Sequence, residues 1–89
     1  MSKTFVFEGK HVVIGKIDSV FRTNPYQDMG GYLAITVILS VSGHKFTEHF
    51  DCGSATRRDQ SIVDSMATKA DERVAQILSY IDAGEAPAE

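Results

Sequence analysis

The sequence predicts a single α+β domain. Its expected architecture is a four-stranded antiparallel β-meander, made of two tight hairpins joined by a longer loop, with one long C-terminal α-helix packed on one face. Three observations carry this. Residues 4–52 are dominated by aromatic and β-branched segments punctuated by glycine-containing turns. Within residues 32–52 apolar and polar residues alternate with a period of two. Beyond residue 61 the apolar period becomes three and four. Eighty-nine residues leave no room for a second core. The expected units are a sheet over 1–53, a connector over 54–60, a helix over 61–83 and an acidic tail over 84–89.

Residues 4–8 (TFVFE) and 11–23 (HVVIGKIDSVFRT) read as strands separated by Gly9-Lys10, a two-residue hairpin turn. Phe5, Phe7, Val12 and Ile14 then share one face, and Val6 and Val13 the other. Beyond Gly15 the alternation changes phase toward Ile17 and Phe21, which predicts a bulge at that glycine. Residues 24–31 (NPYQDMGG) are dense in turn formers and read as a loop. Residues 32–41 (YLAITVILSV) form the strongest strand pattern, and Ser42-Gly43 the second tight turn. Residues 44–52 (HKFTEHFDC) are the fourth strand.

A two-residue turn at Ser42-Gly43 fixes the register of the second hairpin. Val41 faces His44, Leu39 faces Phe46, Val37 faces Glu48 and Ile35 faces Phe50. Leu33, Ile35, Val37, Leu39, Val41, Phe46 and Phe50 therefore share a face that needs cover. Ala34, Thr36, Ser40, Lys45, Thr47, His49 and Asp51 share the other, with Ile38 its one large aliphatic residue. Glu48 falls on the apolar face, where an unpaired carboxylate is costly. Local fraying of an outer strand is the favoured relief, ahead of pairing with Lys69 or Arg73 and ahead of a partner site.

Ile62, Val63, Met66, Ala67, Ala70, Val74, Ile77, Leu78 and Ile81 mark the apolar side of the helix that provides the cover. Ser61 with Asp64 resembles a capping box, Gly84 supplies the stop, and Pro87 lies beyond it. A helix over 61–83 would be about 34 Å long, matching ten-residue strands of about 33 Å. The residues after it, EAPAE, are expected to fray.

Composition narrows the functions. The chain carries 9 Lys and Arg against 12 Asp and Glu, a formal net charge of −3. Residues 1–50 hold a net charge of +1 and residues 51–89 hold −4. Neither half is the basic surface that duplex binding demands. One cysteine forms no internal disulfide, so nothing calls for an oxidising compartment. The start, MSKTFVFEGK, lacks the apolar core of a secretion signal, and no apolar run approaches the ~20 residues of a membrane span. A cytoplasmic protein with no membrane contact is expected.

Residues 43–53, GHKFTEHFDCG, collect His44, His49, Asp51 and Cys52. Strand parity disperses them. His49 and Cys52 point to opposite faces, and His44 lies roughly 27 Å from Cys52 along the strand. Zinc ligands must converge within ~2.0–2.3 Å of one ion, so no metal or cofactor is expected. Cys52 has no base on its own face to make it a thiolate, and no serine sits in a G-x-S-x-G elbow. Gly30-Gly31 precede a strand, outside the strand–loop–helix context of a phosphate cradle. No enzymatic activity is expected.

The eight-residue loop between strands stands out against two tight turns, since long connections are disproportionately functional. The alternative is a mobile, disposable loop. Tyr26, Gln27, Asp28 and Met29 in the loop, with Arg57 and Arg58 in the connector, are the candidate contacts for a larger host protein or protein complex. In size, acidity and architecture the chain resembles the small phage-encoded inhibitors of host machinery, anti-CRISPR proteins among them. That resemblance implies steric occupation of a host complex, or mimicry of nucleic acid by the carboxylates of the C-terminal half. Free strand edges also invite a homodimer. The alternative function is single-stranded nucleic-acid binding by Lys16, Phe21, Arg22 and Tyr26, which the acidic net charge disfavours.

Overall fold

The computed structural model describes residues 2–87. Strands β1 (Thr4–Phe7) and β2 (Lys10–Val13) form a hairpin, followed by a 3-10 turn at Ile14–Lys16. Strands β3 (Ile17–Arg22), β4 (Tyr26–Gln27), β5 (Tyr32–Val41) and β6 (His44–Ser54) make the main sheet. A second 3-10 turn, Ala55–Arg57, leads into helix α1, Gln60–Ala83. The class is α+β, with antiparallel sheets and one long C-terminal helix, as the sequence predicts.

Strand β5 is the centre of the main sheet. On one side it pairs with β6, and the register places Val41 opposite His44, Leu39 opposite Phe46, Val37 opposite Glu48 and Ile35 opposite Phe50. These are the pairs that the two-residue turn dictates. Ser42 and Gly43 have φ of 50° and 83°, the double positive φ of a type I′ turn, whose twist matches the strands it joins. On the other side β5 pairs with β3 and then, further along the same edge, with β4.

The first hairpin departs from the expected continuous meander. It is a separate two-stranded sheet. The phase change at Gly15 is real, but it is met by winding residues 14–16 into a 3-10 turn, which redirects the chain more than a one-residue bulge does. A register irregularity does occur, between Ile17 and Ser19, and the Asp18 carboxylate there accepts from the Gly43 N–H at 3.2 Å. The hairpin turn is Glu8-Gly9, one residue before the expected position. Phe5 is opposite Val12, so the face assignments are unaffected.

Phe5, Phe7, Val12 and Ile14 join Leu33, Ile35, Val37 and Leu39 of β5 and Val63, Ala70 and Ile77 of α1 in one core. Helix and hairpin thus share the work of covering one sheet face. Phe46 and Phe50 are half-buried against the same core. Burying such side chains contributes ~1.5–3 kcal/mol each, which is the main stabilising term. Ile62 and Leu78, expected in the apolar stripe, are exposed on its two flanks. At 100° per residue they lie on opposite sides of the Val63–Ala70–Ile77 line and form no joint patch.

Two corrections concern polar groups. Glu48 does not fray into solvent. Arg73 Nε donates to its Oε1 at 3.2 Å, while the other Arg73 nitrogens donate to the Val6 carbonyl at 3.0 Å and to Gln76 Oε1 at 2.7 Å. The helix start is capped by Asp59, whose Oδ1 accepts from Ser61 N–H at 2.9 Å, and not by Ser61. Gly84 closes the helix in the left-handed conformation, as expected. The tail does not fray at Ala86, which is buried and exchanges backbone hydrogen bonds of 2.8 and 2.7 Å with Ser2. The last two residues of the expected tail lie outside the described residues.

Candidate functional site: a pocket on the open sheet face

The face of the main sheet away from α1 is polar and uncovered, and a concavity on it follows from a row of side chains. Tyr26 of β4 is opposite Ala34 of β5, and Ala34 is opposite Asp51 of β6. Ala34 is the small residue between two larger ones, so a cavity of about 350 Å³ opens above it. Two residues earlier on the same face of β5 stands Tyr32, and the next row holds Thr36 and His49. Tyr26, Asp28, Tyr32, Ala34, His49 and Asp51 line the cavity.

Local structure holds each wall. Asn24-Pro25 interrupts the pairing of the edge, and β4 then rejoins β5 for two residues. Asp28 closes the reversal that follows. Its backbone N–H donates to the Tyr32 carbonyl at 2.8 Å, and its Oδ1 accepts from the Gly30 and Tyr32 N–H groups at 2.9 and 3.0 Å. The segment expected to be a loop therefore holds a short strand and a pinned turn. On the opposite wall Gly53 takes φ of 88° in a bulge of β6, and its N–H donates to Asp51 Oδ1 at 2.8 Å. Only glycine adopts that φ without strain, so the bulge and the aim of Asp51 rest on it.

A hydrogen-bonded chain crosses the floor. The Tyr26 hydroxyl is 2.6 Å from Thr36 Oγ1, which is 3.0 Å from His49 Nδ1. Thr36 is 3% exposed and is satisfied from both sides. A hydroxyl beside an imidazole has the makings of an activated nucleophile, but this one is sealed under its partners and cannot meet a substrate. Cys52 is buried in the core, its thiol directed to the Phe50 carbonyl at 3.6 Å. Burial, with help from the Asp51 charge, pushes that thiol up and keeps it protonated. Among the described residues no three of His, Cys, Asp and Glu converge as metal ligands.

The structure places the sequence-derived candidates unevenly. Tyr26 and Asp28 line the pocket. Gln27 alternates away from it, opposite Leu33, and Met29 stands fully exposed at the tip of the turn. Arg57 and Arg58 are exposed in the connector, which docks against the same end of the sheet through the Ala55 N–H and the Gly31 carbonyl at 2.9 Å. The nucleic-acid set is not assembled. Phe21 faces Ile38 on the open side, whereas Arg22 pairs with Asp71 of the helix. Lys16 lies in the first 3-10 turn. Sequence reasoning missed Tyr32, took His49 as a solvated face residue, and placed Ala34 and Asp51 only as members of the polar face. The available signal was the face assignment itself, which puts Ala34, Thr36, His49 and Asp51 on one side.

Comparison of the chain with family models, with curated proteins and with solved structures finds no match. No helix is long and apolar enough to cross a membrane among the described residues.

Proposed function

We propose that the chain is a small, non-enzymatic protein-binding module that occupies a surface of a larger host protein or protein complex. The observation that carries this is the pocket of Tyr26, Asp28, Tyr32, His49 and Asp51, built on an uncovered sheet face and fixed by hydrogen bonds before any partner arrives. Rigid aromatic anchors in a preformed concavity reduce the ordering cost of binding. Met29 and the Arg57-Arg58 connector at the same end supply the rim. The proposed action is that of a phage-type inhibitor working in the host cytoplasm: it blocks by steric occupation, with nucleic-acid mimicry by the acidic helix as the lesser contribution. The buried Cys52 and the sealed Thr36 support the absence of catalysis.

Capture from host lysate with tagged protein tests the proposal. A stoichiometric partner is expected, and its retention should fall in the Tyr26→Ala, Met29→Ala double variant and in Ala34→Val, which fills the pocket floor while keeping a strand-forming residue. A partner held equally by both variants would show that the pocket is not the contact. Nucleic-acid binding is the second reading, favoured only by the exposed Phe21 opposite Ile38 and by the exposed Tyr26 further along the same sheet edge. Salt-sensitive retention of a single-stranded oligonucleotide on a filter would favour it over the first. Strand β6 pairs only with β5 among the described residues, so a homodimer through its outer edge belongs to the same proposal. The solution mass of the free protein measures it.

A further inference from the structure

The pocket has a definite chemical character, and we infer that it seats a single arginine side chain of the protein partner. This inference rests on the protein-binding reading above. Of the six lining residues two are tyrosines and two are aspartates, none is a lysine or arginine, and the one histidine, His49, has its Nδ1 engaged by Thr36 Oγ1 at 3.0 Å. Among the described residues each carboxylate is held by backbone donors through one oxygen only: Asp28 Oδ1 takes the N–H groups of Gly30 and Tyr32, and Asp51 Oδ1 takes that of Gly53. The second oxygen of each remains for a ligand. Anchored carboxylates in a pocket that also holds two tyrosines suit a guanidinium. Its planar fork donates to carboxylates in pairs while its face stacks on an aromatic ring, and it sheds water more readily than an ammonium does.

The protein's own bases do not fill this place. Lys45 shares the face but stands six residues from Asp51, roughly 20 Å along β6. Arg58 turns to Gln60, with Nε to Oε1 at 3.2 Å. The cavity of about 350 Å³ lies at the lower end of the range for small-molecule sites and is ample for one side-chain head with its water. A divalent cation is the obvious rival for two aspartates and a histidine. It is disfavoured because these groups line the pocket without converging as ligands among the described residues.

The test is a titration of the ¹⁵N-labelled protein with the blocked tripeptide acetyl-Gly-Arg-Gly-amide, alongside its lysine and norleucine counterparts. The arginine peptide should produce saturable shifts at the amides of residues 28–32 and 49–51. The lysine peptide should bind more weakly, and the norleucine peptide should leave the spectrum unchanged. In the Asp28→Asn, Asp51→Asn double variant affinity for the arginine peptide should drop about ten-fold or more. Asparagine keeps the Oδ1 acceptor that pins each turn and turns the other, ligand-facing oxygen into an uncharged NH2 donor, and an unchanged melting temperature would verify that the fold is intact. Equal shifts with norleucine, undiminished affinity in the double variant, or no saturable shift up to roughly 10 mM peptide would overturn the inference. Calcium added alone should leave the same amides unmoved, and saturation by calcium would assign the pocket to the metal. If the peptide fails while captured partner still depends on Tyr26 and Ala34, the arginine inference falls and the protein-binding reading stands. If partner capture ignores those residues, the reading itself falls.

Discussion

At the residue scale Arg73 does the most to join the parts of the molecule. One guanidinium reaches Glu48 on the sheet, the Val6 carbonyl in the hairpin and Gln76 on its own helix, and it lies 5.7 and 5.4 Å from the ring centroids of Phe5 and Phe7. It therefore explains why a carboxylate is tolerated on the apolar side of β6. Arg73→Ala should cost about 2–3 kcal/mol, because it deletes these contacts and strands the half-buried Glu48. Glu48→Gln should cost less, about 1 kcal/mol, since the amide oxygen still accepts from Arg73 and the exposed edge of the pair is screened. Urea denaturation of both variants and of the double mutant gives the coupling; additivity within ~0.3 kcal/mol would show that the pair contributes nothing of its own. Cys52 gives a second residue-scale expectation. Its thiol is raised above the ordinary 9.0 by burial, so at neutral pH it is protonated and enclosed. Labelling by a maleimide should be at least about ten-fold slower than in urea-unfolded protein, and fast labelling of the native state would reopen the case for a reactive cysteine. The unreactive Cys52 was legible from strand parity, but the Arg73 contacts were visible in sequence only as a choice of partners for Glu48, because pairing across three elements depends on where the helix lies along the sheet.

Elements were legible where local periodicity and turn chemistry agreed. The β5–β6 register follows from alternation and a two-residue turn alone, and every pair deduced from them is present. The β1–β2 turn is displaced by one residue, yet its buried set is unchanged because the displacement preserves parity. Strand β4 was not legible, since two residues carry no period and its existence depends on the pairing partner that Tyr32 and Leu33 bring alongside. The pocket was hidden for the same reason: one wall is that strand, while Ala34 and Asp51 read only as members of a polar face. The start of α1 shows a similar limit. Ser61 and Asp64 looked like a capping pair, but Asp59 sits at the cap and takes both the N–H and the hydroxyl of Ser61. Those hydrogen bonds to the charged carboxylate hold Asp59 below its ordinary 3.8. A lowered folded value means that the capping contribution is complete above 3.8 and disappears as pH falls through the folded value. Asp59→Ala should therefore lower the melting temperature by a constant amount from pH 7 down to about 4, with the gap to wild type closing at lower pH. A gap that persisted unchanged at pH 2 would mean that the cap acts without its charge.

At the scale of the whole molecule, the two faces of the sheet have separate duties. Helix α1, about 36 Å long at 24 residues, spans most of the 43 Å long axis and, with the first hairpin, covers one face. Stability is concentrated there, and the open face is left to the pocket. The chain ends are tied into the covered side, with Ser2 and Ala86 joined by two backbone hydrogen bonds and Ala86 2% exposed. In a domain of this size net stability is of the order of 5–10 kcal/mol, so this clasp matters. Ending the chain at Gly84 removes both hydrogen bonds and a buried side chain, and should cost about 1–2 kcal/mol. The urea midpoint should fall while the slope, set by the surface exposed on unfolding, stays within about a tenth of its original value. The shortened protein should still answer the arginine peptide with the same shifts and the same affinity below its melting range, because the pocket draws on β4, β5 and β6 and on nothing from the tail. Loss of pocket binding in parallel with stability would show that the two faces are coupled through the sheet. Loss of stability alone would show that they are independent, as the placement of the core on one side of β5 requires.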